Sequence, residues 1–251
     1  MMILHVFLGA LLLAIPAGAL YYFDKALLRS FGVAVGRMVT QILLVSLIVW
    51  VLVHYDKVWI SLLWLVLLAA LSAVLVLRRV KLPLSKFLLP VAAGLFAGAL
   101  VVGLYLLFVV LPVHDALGAR WLVPIMALLV GHSMTTGILG LSTYQSALKA
   151  DEQQYEFLRG NGTSHLKAVL PFVRRALQAV MSPSVANLSV LGFYAMPLLL
   201  CGILLGGQSP INAFVLTLML VIGCLASSVI SLAVILWLSD RQLFDKFGKL
   251  R

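Results

Sequence analysis

Asp151–Val180, DEQQYEFLRGNGTSHLKAVLPFVRRALQAV, is the longest polar interruption in a chain of 251 residues that is 63% hydrophobic and has a mean hydropathy of +1.15. It reads as helix, turn, helix. A short polar segment ends in Glu156-Phe157-Leu158-Arg159, and Gly160-Asn161-Gly162 then supplies backbone able to take positive φ. Thr163 or Ser164 is placed to cap a second helix. In that helix Leu166, Val169, Leu170, Val173, Leu177 and Val180 recur at i, i+3, i+4, i+7 spacing, with Lys167, Arg174, Arg175 and Gln178 on the other face. A helix so patterned lies along a membrane surface, basic face to the headgroups and apolar face to the acyl chains.

Outside this stretch the chain is too apolar for one soluble core. With 10% charged residues, most of its surface must face lipid. Windows of about 20 residues, enough to cross about 30 Å of hydrocarbon, occur seven times: Ile3–Tyr22, Met38–Val53, Trp59–Leu77, Leu88–Leu111, Trp121–Leu141, Ser184–Leu205 and Ala213–Leu238. The expected architecture is an all-α polytopic bundle forming one permease-like domain over 1–251, with 151–180 as its cytosolic segment. Sixteen of the eighteen Lys and Arg fall in connections after the odd-numbered spans, leaving Lys57 and Arg120 on the other side. Positive side chains resist translocation, so the N-terminus is expected outside and the C-terminus in the cytoplasm. The net charge of +10 follows from this asymmetry and calls for no nucleic-acid partner.

The segment Met1–Tyr22 lacks the basic n-region of a secretory signal and reads as a span. Tyr21, Tyr22 and Phe23 form an interfacial aromatic belt, and Leu27–Gly36 leads into span two. His54 and Asp56 sit in an outside hairpin turn, as solvated groups or as metal ligands. Gly94-Leu-Phe-Ala-Gly98 permits close helix approach and offers a homodimer face. Cys201 and Cys224 read as free buried thiols, with no disulfide or metal spacing.

Candidate path residues concentrate in spans five and six. Span five holds Met126 and then Gly131-His132-Ser133-Met134-Thr135-Thr136-Gly137; polar groups at membrane depth face the bundle interior or a cavity. Imidazole and thioether are both donors to soft or borderline metals, so His132 and Met134 either contact such an ion or pack between helices, with Ser133, Thr135 and Thr136 bonded to backbone. Span six carries Pro183, Asn187, Ser189, Met196-Pro197 and Gly202, a set that breaks or kinks a helix and frees carbonyls that either line a passage or are satisfied by neighbouring helices.

Two omissions narrow the class. All eight acidic residues lie in loops or at span ends, which leaves His132 as the ionisable group at depth and argues against a proton-coupled carrier. No GxxxxGK[ST] loop is present, so the chain is not expected to hydrolyse nucleotide or act as an enzyme. Any pump built on it takes its energy from elsewhere.

Arg37-x-x-x-Gln41-x-x-Leu44, Gly131-His132-Ser133-Met134, Gly162-Thr163 with Pro171-Phe-Val-Arg174-Arg175-Ala176-Leu177, Pro183 followed by Asn187, and Pro197 with Gly202-x-x-x-Gly206-x-x-Ser209-Pro210 occur in that order. The combination resembles the FetB-type (YbbM-type) permeases, membrane subunits of ABC transporters linked with iron export in bacteria and aluminium tolerance in plants. The resemblance implies a bacterial-type inner-membrane permease that pairs as a homodimer over two cytosolic ABC ATPases, with ATP-Mg bound by the ATPase and no cofactor in this chain. It implies a metal-ion substrate, with Met126, His132, Ser133, Met134, Thr136, Asn187 and Met196 along the path. ATPase coupling is expected at Glu156, Arg159, Gly160, Gly162, Thr163 and Ser164. Two positions depart from the family pattern: His132 stands where that family has Asn, and Met196-Pro197-Leu-Leu-Leu-Cys201-Gly202 replaces Leu-Pro-Gly-Met-Met-Thr-Gly. The alternatives from other classes are a membrane scaffold whose loop recruits a partner and an ATP-independent secondary carrier.

Overall fold

The computed structural model describes residues 8–111, 117–194 and 196–244, without the side chains of 26 and 189–198. Helices joined by short turns make up these residues. The chain divides between Tyr55 and Asp56 into two compact units.

The first unit contains α1, Ala14–Phe23, and α2, Lys25–Tyr55. Asp24 separates them in extended conformation, and its carboxylate accepts the Leu27 N–H at 3.1 Å, satisfying one orphan donor of the next helix. The lead-in and the second expected span form one uninterrupted helix of 31 residues. Tyr21, Tyr22 and Phe23 are exposed, as an interfacial belt requires, with the Lys25 ammonium 5.3 Å from the Tyr21 ring centroid.

The second unit contains α3 (Val58–Val80), α4 (Leu84–Tyr105, continuing as a π-helical turn over Leu106–Val110), α5 (Ala119–Ala150), α6 (Glu152–Gly160), α7 (His165–Tyr194), α8 (Met196–Leu205) and α9 (Pro210–Leu243). Asp56, at positive φ, accepts the Ala119 N–H at 2.7 Å. Its carboxylate therefore serves as an N-cap for α5 supplied from a distant loop. Lys81 ends α3 in the left-handed region, and Leu82 N–H returns to the Leu77 carbonyl at 3.1 Å.

The seam between α4 and α9 sets the interior. A Cβ on Gly98 would meet the Ser231 hydroxyl and come within 2.7 Å of the Ser227 carbonyl; one on Gly94 would come within 2.9 Å of the Ile235 nitrogen. The Gly94-x-x-x-Gly98 face expected to lie between two copies is thus consumed inside one chain, where dispersion between closely approaching backbones replaces the missing hydrophobic drive. Gly140 and Gly223 play the same part against Leu232 and Leu106. Around the seam lie two apolar clusters, one holding Leu77, Val91, Leu95, Tyr144, Phe172 and Ile235, the other Ala99, Leu107, Met126, Leu129 and Leu220.

Five described helices are long and apolar enough to cross a membrane: Leu27–Tyr55, Val58–Val80, Leu84–Val110, Ala119–Ala150 and Pro210–Leu243. Of the other two expected spans, Ile3–Tyr22 begins outside the described residues and contributes the shorter apolar helix Leu8–Phe23. Ser184–Leu205 is shared between the end of α7 and α8. A surface helix over 163–180 followed by a separate span is replaced by α7, a single helix of 30 residues with Pro171 and Pro183 inside it. The Ser184 hydroxyl donates to the Val180 carbonyl at 2.8 Å beside the position where Pro183 lacks an N–H.

Candidate functional site

The turn between α6 and α7 is closed by a complete C-terminal motif. Gly162 sits at φ +78, its N–H donates to the Arg159 carbonyl at 3.1 Å, and the Thr163 N–H donates to the Leu158 carbonyl at 3.1 Å. These 5→2 and 6→1 bonds around a left-handed glycine form a Schellman motif. An Arg159 guanidinium N–H donates to the Thr163 carbonyl at 3.2 Å and locks the turn further. Glu156, Arg159, Gly160, Gly162 and Ser164 are exposed and Thr163 is half-buried. Phe157 is exposed beside them at 69%. The turn is thus an ordered, mostly polar knob with an apolar tip.

Behind the knob the segment is docked. Tyr155, Ala168, Phe172, Ala176 and Val180 are buried in the cluster that also contains Tyr144 and Leu148 of α5. The expected apolar stripe is therefore rotated: Val169 and Val180 face the core, but Leu166, Leu170 and Leu177 are exposed, and small or aromatic residues between them make the contact. The basic face lies where its spacing placed it, with Lys167, Arg174, Arg175 and Gln178 lining a shallow groove. Arg175 also pairs with Asp151, tying the start of α6 to α7.

A hydrogen-bonded chain joins this segment to the ends of two membrane-length helices. The Tyr144 hydroxyl of α5 donates to one oxygen of Asp240 on α9 at 2.7 Å. The other Asp240 oxygen lies 2.6 Å from His165 Nε2, and His165 Nδ1 lies 2.9 Å from the Tyr155 hydroxyl. The arrangement is satisfied throughout when Nε2–H donates to the carboxylate and Nδ1 accepts from Tyr155. Burial raises the Tyr155 phenol pKa, with Arg159 pulling against it, so the hydroxyl keeps its proton and stays a donor. Phe244 packs on both rings, 4.8 Å from each centroid. Ten and 75 residues separate the bonded partners of His165, and no local pattern announces them. A His at a helix start and an Asp in the last turn of an apolar helix are the signals present.

At membrane depth, a cavity of about 180 Å³ is lined by His132 of α5, Ser184 and Asn187 of α7, and Leu220 and Cys224 of α9, among others. The His132 Nε2 is buried and has no hydrogen-bond partner among the described residues. The structure thus brings together two expected path residues, His132 and Asn187, and adds Ser184 and Cys224. The other expected path residues lie elsewhere. Ser133 is turned into the bundle, 3.1 Å from the Ser227 hydroxyl, and Met126 is buried against Gly103. Thr136 bonds to the His132 and Ser133 carbonyls, and Met134 packs on the cluster around Phe172. His132 and Met134 accordingly do not share one cavity. The side chains of Met196 and Ser189 lie outside the described residues. Among the described residues no group of three or more His, Cys, Asp or Glu is gathered as a metal site.

A set of membrane-length helices carrying a capped polar knob at one end and a small, donor-poor cavity at depth defines a multi-pass helical membrane protein. The model of the uncharacterised protein family UPF0014 matches residues 3–244, and the chain belongs to that family. It is similar to the UPF0014 membrane protein slr1647 of Synechocystis, with 25% identity over 86% of this chain and 83% of the relative. Similarity to the UPF0014 membrane protein YjkA of Bacillus subtilis is 23% identity over 91% of this chain and 90% of the relative. The protein ALUMINUM SENSITIVE 3 of Arabidopsis thaliana is 26% identical over 47% of this chain and 44% of its own length. No solved structure matches.

Proposed function

We propose that this chain is the membrane-spanning permease subunit of a FetB/YbbM-type ABC transporter. It moves a metal ion outward across a bacterial-type inner membrane, powered by ATP hydrolysed on a separate cytosolic ATPase. The observation that carries this reading is the continuity of α7. One helix starts at the exposed turn and runs to Ser184 and Asn187 at the His132 cavity, a rise of about 35 Å. A push on the Glu156–Ser164 knob is delivered along that rod to the wall of the cavity, while the Asp240–His165 chain carries it sideways to α5 and α9. The basic helix ends face the cytoplasm in this arrangement, placing the knob where a soluble ATPase can reach it.

The donor set suits passage better than storage. One imidazole, one carboxamide and one thiol offer weak, exchangeable contacts to a soft or borderline cation, with no carboxylate to hold it. The name of the Arabidopsis relative, ALUMINUM SENSITIVE 3, points toward metal handling as well. Two copies of the chain complete the transporter. The Gly32-x-x-x-Gly36 face of α2, where an added Cβ would meet nothing within 4 Å, is available for pairing.

Gentle extraction from native membranes tests the reading. A P-loop ATPase should co-purify in equal amount with the tagged chain, and cysteines at Ser184 and Asn187 should react with a water-soluble thiol reagent while one at Ser133 stays protected. A membrane scaffold would yield some other partner and unreactive cavity positions; a secondary carrier would transport without any ATPase.

A further inference from the structure

A second cavity, of about 330 Å³, lies at the basic end of the 56–251 unit, where four helices converge. Lys81 caps the end of α3, Lys86 stands in the first turn of α4, and Lys149 is in the last turn of α5. These three residues line the cavity together with Gln145 and Gln242. Among the described residues no carboxylate lines it, and neither the His165–Asp240 contact nor the Asp151–Arg175 ion pair involves these lysines. The first turn of α4 has no side-chain cap, so its free N–H groups add the positive end of a helix dipole. Three ammonium groups lining one cavity repel one another, and an anion reverses the sign of that interaction.

A groove of about 460 Å³ shares Lys86 and Gln242 with the cavity and is lined further by Leu89 and Pro90 of α4 and Leu238 of α9. Leu89 is 82% exposed. Beside the groove the Arg241 guanidinium sits 4.4 Å from the centroid of the exposed Trp237 ring, the pairing of cation and indole found at the boundary between headgroups and acyl chains. Polar donors thus give way to apolar surface in the order in which a phospholipid presents its phosphate, glycerol and acyl chain.

We propose that this cavity and groove form a binding site for one anionic glycerophospholipid per chain. The phosphate sits among Lys81, Lys86 and Lys149, and an acyl chain lies along Leu89 and Leu238. A lipid held there fastens the ends of α3, α4, α5 and α9 to one another. The site is independent of any ATPase partner and of the substrate.

The test uses the full chain in detergent, titrated with phosphatidylglycerol, phosphatidylcholine or inorganic phosphate, and followed by native mass spectrometry and thermal melting. One phosphatidylglycerol should be retained per chain and raise the melting temperature, phosphatidylcholine should do neither, and inorganic phosphate should not displace the bound lipid. Each single Lys→Gln change should weaken retention about fivefold, and Lys81→Gln, Lys86→Gln and Lys149→Gln together on the order of 100-fold. A control with the same charge loss elsewhere, Lys25→Gln, Lys57→Gln and Lys167→Gln, should bind as the parent does. Equal retention of both lipids, displacement by inorganic phosphate, or equal loss in the control and the cavity variant would each overturn the proposal. Both triple variants substitute exposed side chains, and a monodisperse elution profile identifies folded material.

Discussion

Glycine is used in opposite ways at the α4–α9 seam and at the α6–α7 turn. At Gly94 and Gly98 the backbone is ordinary helix and the space is filled: any side chain collides with the backbone or side chains of α9. At Gly160 and Gly162 the space is open, with nothing within 4 Å of an added Cβ, and at Gly162 the backbone conformation is the demanding feature. The seam admits no movement without unpacking, whereas the turn is rigid in itself and free on its outer side. A protein that had only to sit in lipid would need the first kind of region. The second, built and capped but uncovered, is the region that the proposed coupling to an ATPase would use.

The largest effect should come from the seam. Gly98→Val places atoms against the Ser227 carbonyl and the Ser231 Cβ, which cannot retreat unless the α9 backbone moves, and should cost at least about 3 kcal/mol or prevent folding. Melting of the purified variant in detergent checks this, and a melt like the parent's would remove the seam from the account. Next is the link between the regions. Asp240→Ala strips the acceptor from Tyr144 and His165 and should cost about 2–3 kcal/mol, with faster amide hydrogen exchange in α6 and the first turns of α7. If exchange there is unchanged, the chain of bonds does not tie the knob to the bundle. Gly162→Val forces a β-branched residue to positive φ and should cost about 1–2 kcal/mol, with Gly162→Asn costing clearly less. Equal penalties would mean that space rather than φ decides. Smallest in stability is the outer face of the knob, where Glu156→Ala with Arg159→Ala should stay within about 1 kcal/mol of the parent.

Much of this contrast was legible in the sequence, and its limits have physical reasons. Composition and charge asymmetry pointed to a membrane bundle because lipid leaves few options for a chain this apolar. The helix–turn–helix at 151–180 was readable because glycines and a polar run stand out against that background. The orientation of α7 was not readable: with apolar surroundings on both sides, a leucine stripe gives no preference for the core, and Ala168, Phe172 and Ala176 pack more closely than Leu166 or Leu170. Pro183 stands in the set expected to disrupt span six, yet the helix passes through it. In the cavity His132 and Asn187 were legible as polar residues within apolar runs, but Ser133, one position from His132, is turned into the bundle, and only the helical rotation of about 100° per residue decides which of the two faces the cavity. The Asp240–His165 contact joins residues 75 apart through tertiary packing alone.

The central claim is that a soluble ATPase moves this bundle by holding the Glu156–Ser164 knob. The most direct measurement is the ATP hydrolysis rate of the co-purified ATPase with the parent chain and with the Glu156→Ala, Arg159→Ala variant, both reconstituted in vesicles. Loss of the permease-dependent part of the rate, with the helices melting as in the parent, is the predicted result. Full stimulation by the variant, with undiminished association, would contradict it.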